Sequence, residues 1–373
     1  MKEINENGGS SYDSKTTVSK YAKHWLEQKM HDVDPKTYRN YRVLVNYDLG
    51  SIACKQISKV IRSNVQKVLN DAVNKQRKPA TLNLKRQLST CLNQMFTAVY
   101  GDRLIPFNPV AAVKTLTRKD APLTRSAFSI PEITAILSAA SDANQTDPAI
   151  AARMWFRMLT GMRQGEILGA QWSQYDEQNH IYRVDWKMEQ VMRGHGCGEQ
   201  SNGEWPRGKV NGSACTNPVW LTPDGYAMEQ LQNSWCLTRP KSKTGRIVPV
   251  VPELVEVLRR HRALTKDWNN PNNLIFCHLK GGIIDPKEDS KDFRDLLAKA
   301  KITGVKHTGH ETRHSVVTLL ASQGVDFQLI QEIVGHSSDA MLEHYRHADN
   351  TERLKAMETL DSSLNLAQIE WKK

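Results

Sequence analysis

Five separated segments of this 373-residue chain hold side chains that can grip an anion, move a proton or attack an electrophile. They are Thr160-Gly161-Met162-Arg163-Gln164-Gly165-Glu166, Arg239-Pro240-Lys241-Ser242-Lys243, His310-Glu311-Thr312-Arg313-His314, Val334-Gly335-His336 and Glu343-His344-Tyr345. Such a set suits phosphoryl transfer. Attack of a side-chain oxygen on a phosphodiester builds negative charge on the non-bridging oxygens, and Arg163 and Arg313 offer forked donors that stay charged at any working pH. The phenol of Tyr345 is the candidate nucleophile and would carry the phosphate as an ester. The departing oxygen needs a proton, and the amine of Lys241 or Lys243 can give it. His310 can assist proton transfer at the phenol, while His336 suits a hydrogen bond to the phosphate. Glu166 is placed to orient Arg163 or cap a helix. This chemistry needs neither metal nor nucleotide, and no carboxylate cluster or phosphate-binding Gly-x-x-x-x-Gly-Lys-Ser/Thr loop is present, so no cofactor is expected.

These residues need a scaffold, and the chain is long enough for two domains, each with its own core. A formal net charge of +11 suggests a polyanionic partner. No run approaches about 18 apolar residues, the first residues lack an apolar leader, and six scattered cysteines fit reduced thiols better than a disulfide framework. The expectation is therefore a cytoplasmic protein with no membrane partner.

Residues 1 to about 15 are small and polar and read as a flexible tail. From Thr16 helical spacing begins, with Val18, Tyr21, Trp25 and Leu26 on one face. Asp34-Pro35 marks a second helix start, with Tyr38, Tyr41 and Leu44 following at helical steps. Further helical stretches run from about 62 to 76 and 81 to 100, giving an all-helical domain over 16–112. Between Lys75 and Lys119 stand nine Lys or Arg against one acid, Asp102. Lys75, Arg77, Lys78, Lys85, Arg86, Lys114, Arg118 and Lys119 are the candidate phosphate-backbone contacts, because charge neutralisation drives most DNA affinity.

A linker over 113–127 leads to a second domain over 128–360, opened by the capping box Ser129-Ile130-Pro131-Glu132. Helices follow near 131–140 and 149–159. After Gly161 a short helix carries Glu166. A strand-rich section runs from Ile181 to about Val251, with Arg246-Ile247-Val248-Pro249 as the second arm of a hairpin. Helices then resume from Glu253, ahead of a tail over 361–373. The fold class is mainly α with a small antiparallel β-sheet.

In this order the five segments resemble the tyrosine recombinase (phage integrase) family. The resemblance rests on an Arg after a Thr-Gly turn, a hairpin Lys, His310-x-x-Arg313-His314, Gly335-His336, and a Tyr nine residues beyond that His. It implies a helical, SAM-like core-binding domain ahead of an α+β catalytic domain. It also implies strand cutting and rejoining through a 3′-phosphotyrosyl link at Tyr345 and a Holliday junction, in a prokaryotic nucleoid. The family's lysine usually stands about eight residues before a strand-ending Pro; Lys241 is eight before Pro249 and Lys243 six, which favours Lys241. Ser315 stands where the family often has Thr, and Val334 where it usually has Leu. The implied partners are double-stranded attachment sites, three further subunits on paired sites, and a host bending protein or an excision factor. With about fifteen residues before the core-binding unit, no arm-site domain is expected. The segment Leu354, Met357 and Leu360 would dock on a neighbouring subunit.

Two other functions share the pattern: a chromosome-dimer resolving recombinase, and a recombinase-derived DNA-binding protein without activity. The first is disfavoured by chain length and by an insertion at about 190–235, the second by the presence of every catalytic residue type. The insertion is rich in Gly, Asn, Ser and Trp. His195-Gly196-Cys197-Gly198, Cys215 and Cys236 could supply zinc ligands, but with no second Cys-x-x-Cys pair an ordinary surface loop without metal is the expectation. Similar His-Gly-Cys-Gly stretches occur in integrases of actinobacterial phages and mobile elements.

Overall fold

Asp34 and Pro35 start a helix as their types suggest: the Asp34 carboxylate accepts from the Lys36 N–H, and the proline ring presets the first turn. Ser129 and Glu132 do the same by exchange, the Ser129 N–H reaching Glu132 Oε2 at 2.8 Å and the Glu132 N–H reaching Ser129 Oγ at 3.5 Å. The computed structural model describes residues 12–74, 82–113, 127–143, 147–198, 212–240, 245–303 and 309–335. They fall into two units: the described residues of Met1–Thr124 with Gln190–Tyr226, and those of Arg125–Glu189 with Ala227–Lys373.

In the first unit α1 (Val18–Asp32), α2 (Pro35–Tyr47), α3 (Arg62–Asn74) and α4 (Leu82–Gly101) share one apolar core. The face read from the sequence is the buried one: Val18, Tyr21, Trp25 and Leu26 of α1 meet Tyr38, Tyr41 and Leu44 of α2. Trp25 and Tyr41 pack with ring centres 5.3 Å apart, a pairing worth about 1 kcal/mol beyond its area. The Tyr21 hydroxyl donates to Asp102 at 2.6 Å, closing α1 onto the end of α4.

In the second unit α5 (Ile130–Ala143), α6 (Pro148–Thr160) and α7 (Gln164–Leu168) come first. The strands of the chain, in order, are β1 (Tyr175–Asp176), β2 (Ile181–Val184), β3 (Lys187–Gln190), β4 (Arg193–His195), β5 (Pro218–Trp220), β6 (Met228–Gln232), β7 (Trp235–Thr238) and β8 (Arg246–Pro249), of which β4 and β5 belong to the first unit. Then come α8 (Pro252–Leu264), α9 (Pro286–Lys299), α10 (His310–Ser322) and α11 (Phe327–Val334). Helix α6 is central because two of its faces are apolar. Ala152 and Phe156 pack into a core with Tyr182, Val248, Leu254 and Phe276, while Met154 and Met158 join Phe128, Ile136, Phe293 and Leu296. Among the described residues no helix is long and apolar enough to cross a membrane.

Two expectations need correction. Strand β8 is not the second arm of a hairpin with the strand before it. It pairs antiparallel with β2, Tyr182 opposite Val248, in the sheet β1-β2-β8, whereas β7 lies between β3 and β6 in another sheet. Val248 and Tyr182 are buried while Ile247 is exposed, so the core face, not sequence nearness, chooses the partner. The insertion is not one surface loop of the second domain. It contains β4, β5 and β6, and its portion 190–226 groups with the helical unit. There Leu221 packs against the helical core and Arg39 donates to Gln190 Oε1 at 3.1 Å.

Candidate active site

The site is built on the end of α6. The Thr160 hydroxyl donates to Phe156 O at 2.6 Å and accepts from the Met162 N–H at 3.3 Å. Gly161 then turns the chain with φ of +59°. A Cβ there would stand 3.1–3.3 Å from the Val316 side chain of α10, so glycine is needed both for the turn and for the close approach of the two helices.

Arg163 follows as the N-cap of α7. Its backbone N–H reaches Glu166 Oε2 at 2.9 Å, its Nη1 donates to Glu166 Oε1 at 3.0 Å and its Nη2 to the Gly335 carbonyl at 2.6 Å. About a third of the side chain stays exposed (33%). From α10, buried Arg313 donates Nη1 to the Gly161 carbonyl at 3.1 Å. Arg313 is therefore anchored on the turn from which Arg163 extends, while the Arg163 guanidinium is held by Glu166 and the Gly335 carbonyl. His310 opens α10 and is exposed; its ring meets that of His314 edge-on at 4.9 Å, the i, i+4 spacing of one helix face. Ser315 accepts from the Phe128 N–H at 2.7 Å, tying α10 to the start of the unit.

Glu166 links two arginines. Arg246 gives it two bonds, Nη1 to Oε1 at 3.0 Å and Nη2 to Oε2 at 2.6 Å. Burial by itself would raise the Glu166 pKa; the bonds and charge of Arg246, then the charge of Arg163, outweigh it and hold the carboxyl down at about 2. Arg246 also donates Nε to Ile333 O at 3.0 Å, and a Cβ on Gly335 would stand 2.9–3.0 Å from its side chain. Arg163 and Arg246 thus grip the end of α11, the last described residues before His336. The sequence reading assigned no role to Arg246. Its visible cue was slight: a basic residue opening a strand whose other side chains are apolar or Pro.

Beneath this rim lies a second ionic cluster that the sequence reading also passed over. Arg153 donates to Asp289 at 2.9 Å and to Asp292 at 2.5 Å, and Arg157 pairs with the other oxygen of Asp289. Gln164 Nε2 adds a bond to the same Asp289 oxygen at 2.7 Å. Burial favours protonation of Asp289, but Arg157 and Arg153 overcome it and keep its pKa low. The available cue was two arginines, i and i+4, on the buried face of an otherwise apolar helix: two such charges require acids from elsewhere. Gly309 lies so close to the Arg157 guanidinium that a Cβ would collide with it, which fixes where α10 and His310 begin.

Of the six candidate catalytic residues, the structure places Arg163, His310 and Arg313 around α6 and α10. Lys241, its alternative Lys243, His336 and Tyr345 lie outside the described residues, as does the segment 354–360. Among the DNA-contact candidates, Lys85 and Arg86 sit near the start of α4, Arg86 exposed. Lys75, Arg77, Lys78, Lys114, Arg118 and Lys119 lie outside the described residues.

Residues 227–352 match the family model described as the phage integrase family. The chain is 21% identical over 375 residues to an integrase of Saccharopolyspora erythraea, an alignment covering 93% of this chain and 82% of that one. Its fold matches the Tn1549 transposon integrase solved with a circular intermediate DNA, with a TM-score of 0.69 at 17% identity over 92% of this chain and 99% of that one. It also matches a lambda integrase tetramer bound to a Holliday junction, with a TM-score of 0.58 at 15% identity over 97% and 81%. A helical unit ahead of an α+β unit is thus the architecture of DNA integrases. Residues 227–352 thus carry a domain of the phage integrase family, and with its paired arginines and His-x-x-Arg step the chain is similar to tyrosine recombinases, enzymes of DNA breakage and rejoining.

Proposed function

We propose that this chain is a site-specific recombinase that integrates or excises a phage or related mobile element, with Tyr345 as its nucleophile. The observation that carries the reading is the pair of guanidiniums at the turn after α6: Arg163 extends from it, held by Glu166 and the Gly335 carbonyl, and Arg313 is anchored on its Gly161 carbonyl, beside the helix that His310 opens. Two guanidiniums held in place at one turn can meet the non-bridging oxygens of a single phosphate at little reorganisation cost.

In the proposed reaction the Tyr345 oxygen attacks the scissile phosphorus and the bond to the 5′ oxygen breaks. His310 assists removal of the phenolic proton, His336 donates a hydrogen bond to the phosphate, and Lys241, in preference to Lys243, protonates the departing 5′ oxygen. The 3′-phosphotyrosyl ester keeps the bond energy, so a 5′ hydroxyl from another strand can reverse the step and pass through a Holliday junction. The partners are double-stranded attachment sites and three further copies of the chain on paired sites, the segment around Leu354, Met357 and Leu360 docking between subunits. A host bending protein or an excision factor completes the assembly in the prokaryotic nucleoid. Lys75, Arg77, Lys78, Lys85, Arg86, Lys114, Arg118 and Lys119 are the proposed backbone contacts. The domain limits that go with this reading are 16–112 for core binding, 113–127 for the linker and 128–360 for catalysis, and the portion of the insertion that packs with the helical unit would serve binding.

A nicked suicide substrate tests the reading. The wild type should form a covalent protein–DNA adduct, and Tyr345→Phe should form none while shifting the same DNA in a gel. An adduct in the variant, or none in the wild type, overturns it.

A further inference from the structure

The strand pair β4–β5 is too small to hold itself: three residues on each strand, with Arg193 opposite Trp220, Gly194 opposite Val219 and His195 opposite Pro218. A two-stranded ribbon of this length needs a further fastening. One end has it, since Arg193 stacks on Trp220 at 4.3 Å and Leu221 packs on the helical core. At the other end the ladder continues past His195. The Gly196 N–H donates to Asn217 O at 2.9 Å and Asn217 Nδ2 donates back to Gly196 O at 3.0 Å. This pairing brings Cys197 beside Cys215, which ends the short turn Gly212–Ala214.

The result is a group of three ligand atoms. His195 Nδ1 and Cys197 Sγ are 3.8 Å apart, and with Cys215 Sγ all three lie within 4.8 Å of one another. Arms of about 2.3 Å to sulfur and 2.1 Å to nitrogen, set at the tetrahedral angle, place ligand atoms roughly 3.6–3.8 Å apart. The observed group needs only a small contraction to reach that spacing. The glycines are required by the same approach: a Cβ on Gly212 would meet Arg193 O and the Gly194 backbone, and one on Gly196 would meet Asn217 O at 2.6 Å. Four glycines in this tip (194, 196, 198 and 212) leave little apolar side chain to bury. The tip therefore has ligands where a hydrophobic core would otherwise be.

We propose that His195, Cys197 and Cys215 bind a zinc ion that fastens the open end of the β4–β5 hairpin in the unit formed with the helical domain. Two thiolates and an imidazole select zinc over calcium or magnesium, which prefer oxygen. The fourth position is left to a water or a further side chain. Cys236, which the sequence grouped with these residues, does not belong: it is buried in β7 of the other unit and its sulfur meets Ser234 O. The ion would clip residue 197 to residue 215, closing the intervening segment, so its binding energy becomes folding energy for the hairpin.

The test uses the full chain purified without added metal. Elemental analysis should find about one zinc per chain, and the chelated protein should take up about one equivalent of added Zn²⁺. Co²⁺ in its place should give thiolate-to-metal absorption of a two-thiolate site. Two thiols should be shielded from a thiol reagent in the loaded wild type and react after chelation, a readout that needs no variant to fold. Cys215→Ser and His195→Ala should lower metal content severalfold, while Cys236→Ser leaves it unchanged. A wild type that neither contains nor takes up zinc overturns the proposal, as does a Cys197–Cys215 disulfide in the unreduced protein or loss of metal on Cys236→Ser with retention on Cys215→Ser.

Discussion

Two arginine clusters lie within a few residues of each other, on α6 and around the turn that ends it, and they are wired in opposite ways. In the lower one Arg153 and Arg157 are buried and face the carboxylates of Asp289 and Asp292. In the rim cluster Arg163 and Arg246 share Glu166, while further donors of Arg163, Arg246 and Arg313 go to the carbonyls of Gly335, Ile333 and Gly161. A carbonyl aims a guanidinium without neutralising it. The lower cluster is matched in charge and positions helices, whereas the rim keeps the cationic character that the proposed phosphate contact requires. The difference teaches that the ratio of carboxylates to arginines, two for two in the lower cluster and one for three at the rim, separates a neutralised cluster from one that keeps charge for the proposed phosphate contact.

The largest effect should come from breaking the lower cluster. Asp289→Ala leaves two buried guanidiniums short of their partner and should cost about 3–5 kcal/mol in urea unfolding of the second unit. A loss under about 1 kcal/mol would mean that this cluster is solvated and the contrast false. At the rim, Arg163→Ala and Arg313→Ala should each lower cleavage roughly 10²–10³-fold while the protein stays folded and bound to DNA. Unfolding in step with lost activity would place them with Arg153 and Arg157 instead.

Glu166 lies between the two behaviours. Its carboxyl is lowered from 4.5 to about 2, so its contribution is full above about pH 4.5 and disappears as the pH falls towards 2. That contribution is on the order of 3 kcal/mol. Glu166→Gln should flatten this part of the stability–pH curve; an unchanged acid limb would show that Arg246 does not hold the group charged. The smallest effect concerns cations on the helical unit. Lys85→Ala and Arg86→Ala should each weaken binding equally across DNA sequences and lower the salt slope by about one. A sequence-dependent change would assign them to base contact.

The helices were legible because their causes are local. Asp34-Pro35 and Ser129–Glu132 declare their caps within four residues, and the α1 face follows from 3.6-residue spacing. Arg163, His310 and Arg313 could be named as candidates because type and short-range order carry them. The hairpin expected at Arg246 failed for the opposite reason. Strand partners are set by which faces become buried, and β8 finds its core beside β2, more than sixty residues back in the chain. The insertion read as a loop because its strands are short and glycine-rich, and its partner, the helical core, lies far away in sequence.

By itself, the sequence determined the resemblance to a family, the helical first domain and the kinds of side chain available for phosphoryl transfer, since all three rest on residue types and spacings of a few positions. Only the tertiary structure decided that Arg246 shares Glu166 with Arg163, that Asp289 neutralises Arg153 and Arg157, and that His195 and Cys197 meet Cys215 but not Cys236. Those pairings join positions from eighteen to more than a hundred and thirty residues apart. They form only when folding removes water and leaves each charge or ligand one partner within reach, a condition that residue spacing does not encode.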